Sequence, residues 1–108
     1  MSDFLLRAEQ LVEAGRHLYS RGMVPATSGN LSARLADGSI AITVSGRHKG
    51  RLRTDDIMRV DTAGQSLDGR RPSAETLLHT QLYARFADAA VVLHPHSVNA
   101  TVLSLLCA

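Results

Sequence analysis

From Ala89 to Ala108 the chain carries no Lys, Arg, Asp or Glu. A stretch so free of charge is taken out of water, either across a membrane or inside a core. His94, Pro95, His96, Ser97 and Asn99 interrupt it, so no apolar run reaches membrane-spanning length and the segment reads as buried core. Val98, Val102, Leu105 and Leu106 recur at helical spacing, which predicts a last helix beginning near Ser97. The sequence stops at Leu105-Leu106-Cys107-Ala108 with no Gly or basic residue to end that helix, so a truncated chain is expected.

The rest of the chain has to cover this apolar segment. With 108 residues, 44% hydrophobic and 20% charged, it fits one modest domain over residues 1–108. The lone Cys107 forms no internal disulfide, and MSDFLLRAEQ lacks the basic-then-apolar layout of a secretory signal, so the cytoplasm is the default compartment. The sequence pI is about 9.2, yet the formal net charge is only +2 and the aromatic residues are few and scattered. Nucleic acid is therefore not expected as a partner.

Helical spacing of Phe4, Leu5, Ala8, Leu11, Val12, Leu18 and Tyr19 predicts a first helix, capped by Ser2 or Asp3 and ended at Gly22. It should pack one face on a sheet. Asn30 to Leu35 and Ile40 to Val44 read as antiparallel strands joined by Ala36-Asp37-Gly38-Ser39, which carries the Asp-Gly chemistry of a hairpin turn. Thr54-Asp55-Asp56 opens a helical turn, Ile57 to Asp61 is a third strand, and Thr62 to Arg71 a loop. A helix then starts at Ser73-Ala74-Glu75-Thr76 and runs to about Phe86, with Leu78, Leu82 and Phe86 on one face. Ala90 to His94 is a strand.

His94-Pro95-His96 ends that strand. Residues two apart on an extended backbone face the same side, and Pro95 pushes His94 to extended geometry, so two imidazoles could share one transition-metal ion. Thr27-Ser28-Gly29-Asn30, Ser45-Gly46 and Pro72-Ser73 offer hydroxyls and backbone N–H groups suited to a phosphate monoester. Glu75, just past the expected cap Ser73, suits either the helix dipole or a role as metal ligand or acid–base group. His79 shares a helix face with Glu75, where it orients that carboxylate or faces solvent; the second reading is preferred. The basic run Arg47 to Arg53 reads as a solvated loop, and His17 and His48 as non-ligands.

Taken in order, SGN at 28–30, VSG at 44–46, PSAE at 72–75 and HPH at 94–96 resemble the signature of the class II aldolase/adducin superfamily. PATSGNLSAR, VSGRHKGRL and SAETLLHTQLY are most similar to its sugar-phosphate dehydratases. The resemblance implies an α/β, three-layer domain with a central, mainly antiparallel sheet flanked by helices. It implies Zn2+, one per subunit, held by His94 and His96, and a catalytic carboxylate at Glu75. Ser28, Gly29, Asn30, Ser45, Gly46 and Ser73 would then lie at the phosphate of a small-molecule sugar phosphate. The implied assembly is a homotetramer. A third zinc-binding histidine and a further acid–base glutamate belong to a second half absent from this sequence, so the chain by itself is expected to be inactive. A sugar-phosphate aldolase or epimerase, a non-catalytic adducin-head-like module and an inactive fragment remain as alternatives.

Overall fold

The computed structural model describes residues 3–21, 29–72, 75–94 and 102–104, the last three and His94 by backbone only. Helix α1 spans Asp3–Ser20, followed by β1 (Asn30–Arg34), β2 (Ile40–Thr43) and β3 (Ile57–Val60). Two 3-10 turns, Lys49–Arg51 and Thr54–Asp56, separate β2 from β3. Helix α2 spans Thr76–Arg85, and β4 (Val91–His94) and β5 (Val102–Ser104) follow. The strands form one sheet in the order β3-β2-β1-β4-β5, and each neighbouring pair is antiparallel.

Alternation along the strands sends side chains to two different cores. Leu31, Ala33, Leu35 and Ala41 join Ala8, Leu11 and Leu52 under α1. Ile40, Ile42, Val44, Met58, Val60 and Val92 pack with Tyr83 of α2 on the opposite face. One helix covers each face, as expected of three layers. Burying Leu11, Leu31 or Leu52 contributes about 2 kcal/mol apiece, since each is essentially removed from water. Leu5 and Tyr19 are exposed, so α1 turns a narrower apolar stripe to the sheet than its sequence pattern offers. Among the described residues no helix is long and apolar enough to cross a membrane.

Asp3 begins α1, and its carboxylate accepts the Ala36 N–H at 2.7 Å, tying the helix start to the hairpin. The expected hairpin is present. Gly38 adopts φ +91°, the Gly38 N–H meets Leu35 O, and Asp37 accepts both the backbone N–H and the hydroxyl of Ser39. Those bonds from Ser39 hold the Asp37 carboxyl below its ordinary range.

The structure departs from the sequence reading at three places in this framework. Val102–Ser104 is a strand on β4, where a helix was expected. An open edge of β4 offers unpaired N–H and C=O groups, and the β-forming Val102 and Leu103 satisfy them by adding a strand. Ser2, Gly22, Val98, Leu105 and Leu106, on which the expected first cap, the end of α1 and the last helix relied, lie outside the described residues. Lys49 is buried, not solvated. The 3-10 turn carries it beneath α1, where its Nζ donates to Arg47 O at 2.8 Å and desolvation lowers its pKa. The third departure is on α2. Its buried residues are Thr76, His79, Thr80 and Tyr83, whereas Phe86 is exposed. The helix turns a largely polar stripe to the sheet.

Candidate active site

Three segments far apart in sequence meet at one end of the sheet. The Val44–Pro72 bridge and the Ser45 N–H donated to Arg71 O at 3.0 Å set Ser45 and Gly46 beside the chain that leads into α2. Gly46 is exposed with φ +79°, a conformation that favours glycine, and a side chain there would meet open space. Gly29, at φ +82°, turns the chain into β1. Asn30 follows it, almost fully buried, and its Nδ2 donates to Glu75 Oε1 at 3.0 Å. Asn30 also stands opposite His94 in the β1–β4 register. Glu75 immediately precedes α2, and its carbonyl oxygen accepts the Leu78 N–H.

Of the residues singled out in the sequence, Gly29, Asn30, Ser45, Gly46 and Glu75 are therefore gathered at this end, and the backbone of His94 reaches it on β4. Ser28, Ser73 and His96 lie outside the described residues. Among the described residues no group of three His, Cys, Asp or Glu is placed to hold a metal ion.

His79 does not face solvent: it is fully buried. Its Nδ1 lies 2.6 Å from Ser32 Oγ, its Nε2 contacts Asn30 Oδ1, and Ser32 Oγ is in turn 2.8 Å from Tyr83 Oη. Burial pushes the Tyr83 phenol up to about 12, outweighing its hydrogen bonds and the nearby Arg34 cation. Arg34 completes the support. It donates to the carbonyls of Ala89, Tyr83 and Phe86 at 3.0, 2.8 and 3.0 Å, with its guanidinium 4.8 Å from the Tyr83 ring centre. These bonds satisfy carbonyls at the end of α2 and in the turn after it, and pin the helix to β1.

Ser32, Tyr83 and Arg34 were not singled out as site residues and His79 was preferred as solvent-facing, yet a signal for all four was present. Glu75, His79 and Tyr83 fall four residues apart on one helical stripe, and Asn30, Ser32 and Arg34 alternate on one strand face. A polar helix stripe and a polar strand face of matching length are a reason to pair them.

The arrangement holds a partly exposed carboxylate beside small residues with exposed backbone, at the end of the strand that carries the His-Pro-His motif. Known proteins share this framework. The model of the class II aldolase and adducin N-terminal domain matches residues 9–108. Methylthioribulose-1-phosphate dehydratase from Methylococcus capsulatus is 68% identical over 105 residues, covering 97% of this chain and 52% of that protein. The dehydratase of the same name from Pseudomonas paraeruginosa is 62% identical over 99 residues, covering 91% and 48%. The chain thus spans about half the length of the curated relatives it matches.

Solved structures agree with the fold. YgbL from Escherichia coli superposes with a TM-score of 0.81 at 30% identity, over 88% of this chain and 46% of that one. L-fuculose-1-phosphate aldolase from Thermus thermophilus gives 0.71 at 32% identity, over 83% and 46%. Matched over residues 9–108 and built as a three-layer α/β fold around a mainly antiparallel sheet, the chain belongs to the class II aldolase and adducin N-terminal domain family.

Proposed function

We propose that this chain supplies the phosphate pocket, two metal ligands and one acid–base group of a zinc-dependent methylthioribulose-1-phosphate dehydratase of methionine salvage, a cytoplasmic homotetramer. The observation that carries the reading is the Asn30–Glu75 contact opposite His94, which joins a carboxylate to the His-Pro-His strand across 45 residues of sequence. The names of the relatives at 68% and 62% identity support the substrate.

The donor chemistry fits zinc: imidazoles from His94 and His96 with a carboxylate nearby are nitrogen and oxygen ligands of the kind this ion takes. When bound, zinc supplies Lewis acidity towards the oxygens of the substrate. The phosphate would sit among Ser28, Gly29, Asn30, Ser45, Gly46 and Ser73. Because Ser45 spends its N–H on Arg71 O, its hydroxyl and the Gly46 N–H are the donors left to an anion. Anchoring the phosphate fixes the distance from C1 to the reacting carbons. Glu75 takes the proton from C3, the hydroxyl on C4 receives a proton from the acid–base group of the second half and leaves as water, and the resulting enol tautomerises to 2,3-diketo-5-methylthiopentyl-1-phosphate. The second half of the relatives' length is the source of the remaining zinc ligand and acid–base group.

The test joins this chain to the second half of the Methylococcus capsulatus dehydratase and measures bound zinc and dehydration of methylthioribulose-1-phosphate. About one zinc per chain with turnover is expected, and Glu75→Gln should lower kcat by about 10²–10⁴-fold. A zinc protein that cleaves sugar phosphates between carbons but leaves this substrate intact would be an aldolase. The L-fuculose-1-phosphate aldolase neighbour keeps that second reading open. A protein that takes up no zinc and turns over neither substrate is a binding module of the adducin kind.

A further inference from the structure

A core-facing helix stripe is ordinarily apolar. The stripe of α2 that faces β1 is polar instead, and its groups are joined in series. Tyr83 Oη lies 2.8 Å from Ser32 Oγ, Ser32 Oγ lies 2.6 Å from His79 Nδ1, and His79 Nε2 contacts Asn30 Oδ1. Asn30 Nδ2 then donates to Glu75 Oε1 at 3.0 Å. Ser32 and His79 are fully buried, and Asn30 and Tyr83 nearly so, while Glu75 at the end is partly exposed.

The positions of the hydrogens follow from one end of the series. Asn30 turns its NH2 towards Glu75 Oε1, which accepts, and its carbonyl oxygen towards His79. That oxygen only accepts, so the proton of His79 sits on Nε2. A neutral ring then has a lone pair at Nδ1, which takes the hydrogen of Ser32, and Ser32 accepts the hydrogen of Tyr83. Every donor in the series points towards the Glu75 carboxylate. Polar groups this deeply buried are costly unless all are matched, and an apolar replacement of the same shape would hold the helix as well. The series is more than packing because it terminates on a carboxylate that is partly exposed.

We propose that His79 is a positioning residue: as the Nε2–H tautomer it holds the Asn30 amide in the orientation that presents NH2 to Glu75, and Ser32 and Tyr83 hold His79 in that tautomer. The inference rests on the reading of Glu75 as the acid–base group. With the amide reversed, the carbonyl oxygen of Asn30 would face the carboxylate, two acceptors would repel, and Glu75 would leave its place. His79 exchanges no proton with the substrate. It determines where the group that does so stands, and loss of such support costs about 10–100-fold in activity.

Two variants separate this from a merely structural role, tested in this chain joined to the second half of the Methylococcus capsulatus dehydratase. His79→Gln carries its NH2 to the place of Nε2–H and can still donate to Asn30. His79→Asn reaches only the place of Nδ1 and cannot. Their thermal stabilities should fall together, while kcat stays within about threefold for Gln and drops about 10–100-fold for Asn, with KM moving less than about twofold. Equal kcat in the two variants, or a loss confined to KM, overturns the proposal. A long-range 1H–15N NMR spectrum of the His79 ring in the parent needs no substrate and decides the case if the Asn variant does not fold. A ring protonated on Nε2 alone sustains the proposal, and one protonated on Nδ1, or on both nitrogens, overturns it. A parent protein that turns over no sugar phosphate removes the enzymatic reading of Glu75, and the ring spectrum then judges the hydrogen-bond series by itself.

Discussion

Raising the pH should unfold this protein through Tyr83. Tyr83 belongs to the core that includes Ile40, Val60 and Val92 under α2, and burial raises its pKa from 10.0 to about 12. The folded state therefore keeps its proton where the unfolded chain has lost it. The sign follows from linkage: the stabilisation is complete below pH 10 and disappears as pH climbs from 10 towards 12. At about 1.36 kcal/mol per pH unit, the whole interval is worth about 2.7 kcal/mol, a large part of the stability of a chain this size. With two tyrosines and no tryptophan in the sequence, a Tyr19→Phe background leaves Tyr83 as the sole phenol, and tyrosinate absorbance follows it alone. Urea unfolding of this background and of its Tyr83→Phe derivative at pH 9, 10, 11 and 12 gives the stability difference directly. The background should lose about 2–3 kcal/mol more than the derivative over that interval. Parallel curves, or a folded-state absorbance midpoint near 10, would refute the argument from burial.

Ser32→Ala removes the hydroxyl that serves both His79 and Tyr83, and thermal unfolding should show a loss of about 2–4 kcal/mol; under about 1 kcal/mol would mean the series is not tightly joined. Gly15→Ala improves helix propensity by about 1 kcal/mol. Its Cβ, however, would stand 2.6 Å from Leu52 Cδ1 and 3.1 Å from Lys49 O, so overpacking should win and lower the urea midpoint. A raised midpoint would mean that Leu52 moves freely. Lys49 has its pKa lowered by desolvation, so the unfolded chain binds the extra proton and stability rises with pH up to 10.5. The parent should accordingly gain on Lys49→Met between pH 7 and pH 10, and a gap that widens the other way contradicts the buried placement.

Where the determinants were local, the sequence could be read. Asp37-Gly38 specifies its hairpin within four residues, because the turn needs a left-handed Gly and a carboxylate to hold Ser39. Strands β1 to β3 follow from equally local patterns. Reading failed where a partner had to be known. Leu78 and Leu82 satisfy helical periodicity, and periodicity alone assigns such residues to the core, yet the face of α2 against the sheet was chosen by Ser32 and Asn30, 47 and 49 residues from His79. Lys49 looked solvated because charge is visible in a sequence and the cover given by α1 is not. Val102–Ser104 fits helical spacing and strand pairing alike, and the open edge of β4 decided between them. Gly29, Asn30, Ser45, Gly46 and Glu75, which the structure gathers at one end of the sheet, could be picked out because each sits in a short motif, whereas the buried side chains joined to Asn30 carry no motif of their own.

The order of strands has a consequence for the time course of folding. Strands β1, β2 and β3 pair with their neighbours in sequence, so that part of the sheet can close early, while only short loops must be ordered. Strand β4 returns to the other edge of β1 after both β3 and α2 have been made, setting Leu31 against Leu93 and Asn30 against His94. Contacts of such separation are the slow ones. During synthesis the meander therefore stands for a time with one edge of β1 bare, and that edge bears Asn30 and Ser32. The end of the sheet that carries Asn30 and His94 is thus the last to assemble, and an arrested or shortened product would show its bare strand to other chains before that end was formed.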